Sequence, residues 1–563
     1  MNRSAWSLAL SAVLASGCAG RVAAPPPRLG PASGVALASC ADLAARISFA
    51  NTTIRSAEAV APGAVKVAGQ AVPAHCRVTG EMNPRVGSID GKPYAIGFEM
   101  RLPNAWNGRF FYQANGGIDG SVVAATGPVD GGAGLTNALA MGFAVISADA
   151  GHAAALGPTF GVDPQARLDY GYQAAAALTP MAKEAIRVAY GKGPDRSYFG
   201  GCSNGGRHTM VAAARMPDQY DGYLVGDPGF RLPRAAVANI AGAQAYASVA
   251  TQPGEPSSGF TPTERKLVAD AVLARCDALD GAADGLVQDT AACQGAFKLD
   301  RDVPTCRGAR DGTCLSAAQK AVITRLFAGA TTHEGAPIYA SWPFDSGIAA
   351  PDWSNWKFMS PTTRDAGAVA LIFQVPPENP VGFDGRRFAL GGDVDAMLAK
   401  VQATNATYTE SALSFMQPPH ATDLSALRRR GAKMLLYHGT SDPIFSSDDT
   451  TAWYDALRQA QGGDASDFAR LFRVPGMNHC RGGPATDQFD LLSPLVDWVE
   501  NGVAPTRVIA TARGAGNPGG VNADVPADWS PGRTRPLCPY PQVAHYLGSG
   551  SIESADRFAC RLP

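Results

Sequence analysis

Residues 196–217 read RSYFGGCSNGGRHTMVAAARMP. A short apolar strand runs into Gly201-Cys202-Ser203-Asn204-Gly205, a Gly-x-Ser-x-Gly turn, and an alanine-rich helix follows from about Arg207 to Arg215. Strand, tight turn and helix are the order a nucleophile elbow requires, because small residues on both sides let the chain reverse sharply while the serine hydroxyl stays exposed. An isolated match to the five-residue pattern could equally be an ordinary glycine-rich turn; the flanking elements carry the reading.

Working outward, 94–103 (YAIGFEMRLP) and 108–117 (GRFFYQANGG) read as strands, the second ending in a glycine-rich turn. Residues 142–152 (GFAVISADAGH) form another strand pattern, and 172–191 read as a helix despite Pro180. The rhythm returns at 432–445 (AKMLLYHGTSDPIF), followed by a helix over about 450–460, a strand ending at 472–480 (FRVPGMNHC) and a helix over 487–501. Strands alternating with helices predict a mostly parallel α/β sheet with its site at the carboxyl ends of the strands. The expected architecture is an α/β-hydrolase core in two parts, 39–230 and 426–563, interrupted by an inserted lid at 231–425. Within that insertion Thr261, Pro262 and Glu264 spell a helix start with a capping box. The tail from 510 is rich in Pro and Gly and reads as irregular structure stapled by its two cysteines.

With 48 basic and 49 acidic residues in 563, the formal charge is −1, which gives no support for nucleic acid or an anionic membrane surface as a partner. Residues 1–20 (MNRSAWSLALSAVLASGCAG) place Arg3 before a short apolar run and then small residues, the pattern of an export leader, and the run is too short for the ~20 apolar residues of a spanning helix. Cys18 sits in a sequence resembling a lipoprotein box, with the leucine one place too far upstream, so soluble export (secreted or periplasmic) is favoured over an outer-membrane lipid anchor. Residues 21–38 read as a tether. Without Cys18, the eleven cysteines become ten, an even number that suits an oxidised framework.

A serine nucleophile needs a base and an acid that orients it. Asp442 follows the strand at 433–439 in the loop Thr440-Ser441-Asp442-Pro443, and His479 follows the next strand, giving the chain order Ser203, Asp442, His479 of an α/β-hydrolase. Asp448, Asp449, His438 and His152 are the weaker alternatives. Cys202 abuts the nucleophile and Cys480 abuts the base. A disulfide between them would hold their Cα atoms ~5.5 Å apart and bring the two loops together; two unrelated bridges are the alternative. Asn204 N–H and an N–H of the Asn115-Gly116-Gly117 turn, at Gly117 or alternatively Gly116, are the expected oxyanion donors. In CDALDGAADGLVQDTAAC (276–293), Asp277, Asp280 and Asp284 with glycines between them offer hard oxygen donors suited to Ca²⁺, without EF-hand spacing. An acidic surface loop is the other reading.

The elbow GCSNGG, the acid segment HGTSDP, the base segment GMNHC and the aspartate loop together resemble the tannase/feruloyl esterase family, which includes hydrolases of mono(2-hydroxyethyl) terephthalate. The resemblance covers nearly the whole chain after the leader. It implies a serine carboxylesterase acting on small esters of aromatic acids through an acyl-serine, with a structural calcium held by Asp277, Asp280 and Asp284 and the carbonyls of Ala282 and Leu286. It also implies the bridges Cys40–Cys76, Cys202–Cys480, Cys276–Cys293, Cys306–Cys314 and Cys538–Cys560. Trp342, Trp353, Trp356 and Phe415 are the candidate aromatic walls. The terephthalate half-ester hydrolases of the family grip the free carboxylate with an arginine in a Trp-containing lid segment; here DWSNW has Ser354 and Asn355 instead, and Asn204 replaces a glutamate. Arg364, Arg386 and Arg387 are the arginines that could compensate. Feruloyl- or galloyl-type esters are therefore the expected substrates and a terephthalate half-ester the alternative. Another serine hydrolase, or an exported binding protein without activity, are the rivals.

Overall fold

The computed structural model describes residues 27–128 and 135–563. The leader, Cys18 and the first part of the tether lie outside the described residues.

Nine strands form one sheet: β1 (Thr52–Val60), β2 (His75–Val86), β3 (Pro93–Pro103), β4 (Arg109–Gln113), β5 (Ala144–Ala148), β6 (Arg196–Cys202), β7 (Gly222–Gly226), β8 (Lys433–Gly439) and β9 (Ala469–Val474). Their spatial order is β9-β8-β7-β6-β4-β5-β3-β2-β1. Every pairing from β9 across to β5 is parallel, whereas β3, β2 and β1 are added antiparallel at one edge. The sequence reading expected a mostly parallel sheet and did not identify β1 and β2. Those two strands alternate polar with apolar residues, as strands with one solvated face do, but Asn83 and Pro84 inside β2 interrupt the pattern. By contrast β7 and β8 are buried at every position, as strands covered on both faces must be.

Helix α1 (Ala174–Tyr190) packs on one face and ends at Gly191, whose φ of 78° suits glycine. Helix α2 (Asn204–Arg215) begins directly after Ser203, three residues earlier than expected, because the elbow leads straight into the helix without a connecting loop. Between β7 and β8 the chain is helical, with no strand among the described residues; its longer helices are α3 (Leu232–Ala247), α4 (Pro262–Cys276), α5 (Ala317–Phe327) and α6 (Val394–Gln402). The capping box of Thr261 and Glu264 starts α4 as the sequence indicated. After β8 come α7 (Ser447–Ala460) and α8 (Leu492–Asn501), the latter starting five residues later than expected because Asp490 accepts from the N–H groups of Leu492 and Ser493 and so marks the entry. The tail is more ordered than its composition suggests. Val508–Thr511 pairs with Thr534–Leu537, and Val543–Tyr546 pairs with Phe558–Arg561.

The two sheet faces bury separate clusters, one under α1 and one under α8. The insertion has its own core around Phe260, Val268, Trp353 and Phe358. A further cluster joins it to the sheet through Phe160, Val369, Phe415, Ile444 and Phe445, so the insertion is fixed over the carboxyl ends of the parallel strands.

All ten remaining cysteines are paired as the resemblance implied. Cys202–Cys480 spans 278 residues, with Cα atoms 6.1 Å apart, and Cys306–Cys314 spans 8. On a chain-entropy basis the first restricts the unfolded chain by about 5.6 kcal/mol and the second by about 2.5 kcal/mol.

Candidate active site

The elbow is built by close approach. A Cβ at Gly201 or Gly205 would lie 2.3 or 2.4 Å from the Ala114 carbonyl oxygen, so only glycine lets the turn pack on the loop after β4. Ser203 is held at φ 66°, ψ −126°, a conformation costly for any non-glycine residue and typical of strained functional turns.

Ser203 Oγ lies 2.8 Å from His479 Nε2, and His479 Nδ1 lies 2.7 Å from Asp442 Oδ2. Asp442 Oδ1 accepts from the N–H groups of Ile444 and Phe445 at 2.9 and 3.0 Å. Nδ1–H donation to the carboxylate leaves Nε2 free to accept the serine proton. Burial alone would raise the Asp442 carboxyl. The charge of His479 and hydrogen bonds from His438 and His479 outweigh it and hold Asp442 well below the usual carboxylate range. The Cys202–Cys480 bridge fastens the nucleophile loop to the base loop.

The weaker sequence alternatives have other partners. His438 stands behind Asp442, 3.3 Å from Oδ2, and also contacts Thr450 Oγ1 and the Phe445 carbonyl. Asp448 accepts from Ser341, Asp449 pairs with Arg231, and His152 donates to the Ile118 carbonyl at 2.8 Å.

Gly117 lines the same cavity as Ser203 and Asn204 and has φ 68°, while a Cβ on Gly116 would sit 3.8 Å from that of Ser203. Gly117 and Asn204, the two expected donor positions, thus both border the cavity beside the serine. Asn115 Nδ2 fixes this turn by donating to Ser147 Oγ and the Ala148 carbonyl. Asp119, which the sequence reading passed over, ties the turn to α2 by accepting from Asn204 Nδ2 at 2.9 Å and His208 Nε2 at 2.8 Å.

The cavity is lined by Ile118, Tyr170, Leu232, Ala236, Trp356, Arg364, Asp365, Ala368, Ile444 and Phe445 besides the elbow and oxyanion residues. Of the four aromatic candidates, Trp356 belongs to this wall, its ring centroid 5.0 Å from that of His479 in a T-shaped arrangement. The other three lie elsewhere. Trp353 is buried in the insertion's own core against Phe260 and Phe358. Trp342 packs under the Lys357 ammonium, and Phe415 is fully buried against Gly171. Sequence alone could not separate these, because wall and core rings occur in the same Trp-rich segment. Of the three arginines, Arg364 reaches the cavity and stacks over Trp356 at 4.7 Å, while Arg386 pairs with Glu255 at the surface.

Two groups of side chains among the described residues are close enough to share an ion, Cys202/Asp227/Cys480 and Asp227/His438/Asp442. The first contains the disulfide sulfurs and the second is the hydrogen-bonded back of the triad, so neither offers a free ligand set. Asp277, Asp280 and Asp284 do not form such a cluster. Asp277 accepts from the N–H groups of Asp284 and Gly285, and Arg535 from the tail pairs with Asp284.

The model of the family described as tannase and feruloyl esterase matches residues 76–561. The chain belongs to the tannase and feruloyl esterase family. As a member of the tannase and feruloyl esterase family it is a carboxylic ester hydrolase. The chain is 41% identical over 535 residues to the mono(2-hydroxyethyl) terephthalate hydrolase of Piscinibacter sakaiensis, covering 88% of this chain and 86% of that protein. It is 32% identical to an uncharacterised esterase of Xanthomonas campestris, covering 93% and 91% of the two chains. The fold matches that of feruloyl esterase B from Aspergillus oryzae with a TM-score of 0.74 at 24% identity, over 93% of this chain and 99% of that one.

Proposed function

We propose that the protein hydrolyses esters of aromatic acids through an acyl-serine at Ser203. The observation that carries this reading is the unbroken Ser203–His479–Asp442 hydrogen-bond chain opening into a cavity walled by Trp356, Phe445 and Ile444. His479 takes the Ser203 proton as Oγ attacks the ester carbonyl. The developing oxyanion meets the Asn204 and Gly117 N–H groups, whose positions are fixed before the reaction begins. His479, now an imidazolium stabilised by Asp442, gives its proton to the leaving alcohol. Water, deprotonated by the same histidine, then releases the acid and regenerates Ser203. The apolar wall excludes bulk water from the acyl group, and the Trp356 ring beside His479 suits a planar acyl group.

A second reading, turnover of a terephthalate half-ester, is favoured by Arg364. Its guanidinium stands in the cavity over Trp356, has no ion-pair partner among the described residues, and can pair with a free carboxylate. A panel of methyl ferulate, methyl gallate, bis(hydroxyethyl) terephthalate and its half-ester decides, with S203A as control. A ferulate or gallate rate above the others supports the first reading and a dominant half-ester rate the second; no turnover of any panel ester sinks both.

A structural Ca²⁺ in the insertion fits the chemistry of the 277–286 loop. Asp280 Oδ2 is buried without a hydrogen-bond partner, and burial, with Asp284 and Asp277 adding their charge, pushes its carboxyl up to about 7. Asp277, Asp280, Asp284 and the carbonyls of Ala282 and Leu286 would hold the ion. Its positive charge would offset the crowded carboxylates and take no part in ester cleavage. Five disulfides fit an oxidising compartment, and no helix of the described residues is long and apolar enough to cross a membrane, which supports export as a secreted or periplasmic enzyme.

A further inference from the structure

The cavity over Ser203 contains one carboxyl group that the hydrolytic mechanism does not use. Asp365 lines it and is only 6% exposed, and its Oδ2 has no hydrogen-bond partner among the described residues. An ionised carboxylate has about four acceptor sites, and Asn239 and Ser360 hydrogen-bond to that of Asp365 from within the chain, so the residue keeps acceptor capacity for a donor that a ligand brings into the cavity it lines. Of the nearby cations, Arg364 stacks on Trp356, and the Lys357 ammonium donates to the Pro443 carbonyl and lies 3.4 Å from the Trp342 ring centroid. Neither forms an ion pair with Asp365; burial raises its carboxyl, and the charges of Arg364 and Lys357 together with hydrogen bonds from Asn239 and Ser360 offset part of that rise. On the cavity side the neighbouring wall residues Trp356 and Ala368 are apolar.

We propose that Asp365 is a specificity-determining residue of the acyl pocket, accepting a hydrogen bond from a phenolic hydroxyl on the aromatic acid of the substrate. The inference rests on the aromatic-ester reading above and names the group within that class that this chain selects. An ionised carboxylate is an acceptor only. A phenol supplies the missing proton, a methoxy group on the same carbon cannot, and a second carboxylate placed there is repelled. Arg364 and Asp365, adjacent in sequence, thus offer opposite charges to opposite kinds of ring substituent.

The test compares methyl ferulate with methyl 3,4-dimethoxycinnamate, which differ only in whether the 4-oxygen carries a proton. Assays are run at pH 8, where the Asp365 carboxyl, pushed up to about 7 by burial, is ionised. The native enzyme is expected to favour the phenol by about 10- to 100-fold in kcat/KM, mainly through KM. In D365A the ratio falls toward one, and in D365N, whose amide oxygen still accepts, it is intermediate. The same preference is read without turnover by calorimetric binding of ferulic and 3,4-dimethoxycinnamic acids to S203A protein. Equal binding of the two acids, or a ratio unchanged in D365A and D365N, overturns the proposal. Absence of hydrolysis of either ester by the native enzyme counts against the functional reading instead, and acid binding then still decides the role of Asp365.

Discussion

The sheet side and the lid side of one cavity are finished differently. On the sheet side the reacting groups are partnered inside the chain: Ser203 with His479, His479 with Asp442, and Asp442 with two backbone N–H groups and His438. On the lid side Arg364 is exposed with only a ring face for company, and Asp365 Oδ2 is unpaired. Groups that stabilise a transition state gain from being fixed in advance, since no reorganisation is then needed during the reaction. Groups that choose a substrate gain from being left incomplete, because the correct ligand supplies the missing partner and an incorrect one leaves it missing.

The largest effects should therefore come from the sheet side and should not depend on which ester is used. S203A and H479A are each expected to lower kcat/KM by about 10⁴-fold or more across the whole panel. D442N should cost about 10³- to 10⁴-fold by letting His479 adopt the wrong tautomer. Residual activity within tenfold of native for any of the three would break the comparison at its root. The next effect is that of C202A/C480A. Removing the bridge that spans the longest stretch of chain should abolish most esterase activity and lower the melting temperature; full retention of both would mean that packing alone aligns the two loops.

The sheet side was legible in the sequence for the same reason that it is preorganised. The elbow demands Gly201 and Gly205 because the Ala114 carbonyl sits against them, and the acid and base follow apolar strands at the expected places. Local pattern and chemistry coincide there. The lid side has no such coupling. Trp353 and Trp356 are three residues apart, yet one lies in a core and the other on the cavity wall, a difference set by helix packing across the insertion. Arg364 was one of three arginines with nothing to rank them, and Asp365 carried no signal at all, since an aspartate in a helical segment is usually a solvated one. Arg535, which reaches Asp284 from the tail, joins positions that only the fold brings together.

A smaller and ester-dependent effect is expected from R364A. If the guanidinium reads a carboxylate, the half-ester should lose about tenfold in kcat/KM while methyl ferulate changes by less than about threefold. Equal losses on both esters would show that Arg364 serves only to hold Trp356 in place. That outcome would blur the division between the two sides, because a lid residue would then act on chemistry in general.

The smallest effect on rate, and the one that separates stability from catalysis most cleanly, is expected from stripping calcium. The 277–286 loop does not border the cavity, but it is packed between the tail and the base loop. Arg533 donates to the Asp284 carbonyl, and a Leu286 methyl lies 3.5 Å from the position of a Cβ on Gly476, three residues before His479. An ion bound at about 100 times its Kd would contribute about 2.7 kcal/mol to the folded state. In a chain of this length that corresponds to a fall of a few degrees in melting temperature on chelation, reversed by adding Ca²⁺ back. Well below the transition the rate on methyl ferulate should stay within about twofold of native, since an ion in this loop touches no reacting atom. Unchanged melting after verified removal of metal would leave the loop held by Arg535 and the Cys276–Cys293 bridge alone. An immediate loss of rate at 25 °C, before any unfolding, would instead show that the loop sets the position of His479, and that the partnered side of the cavity extends into the insertion.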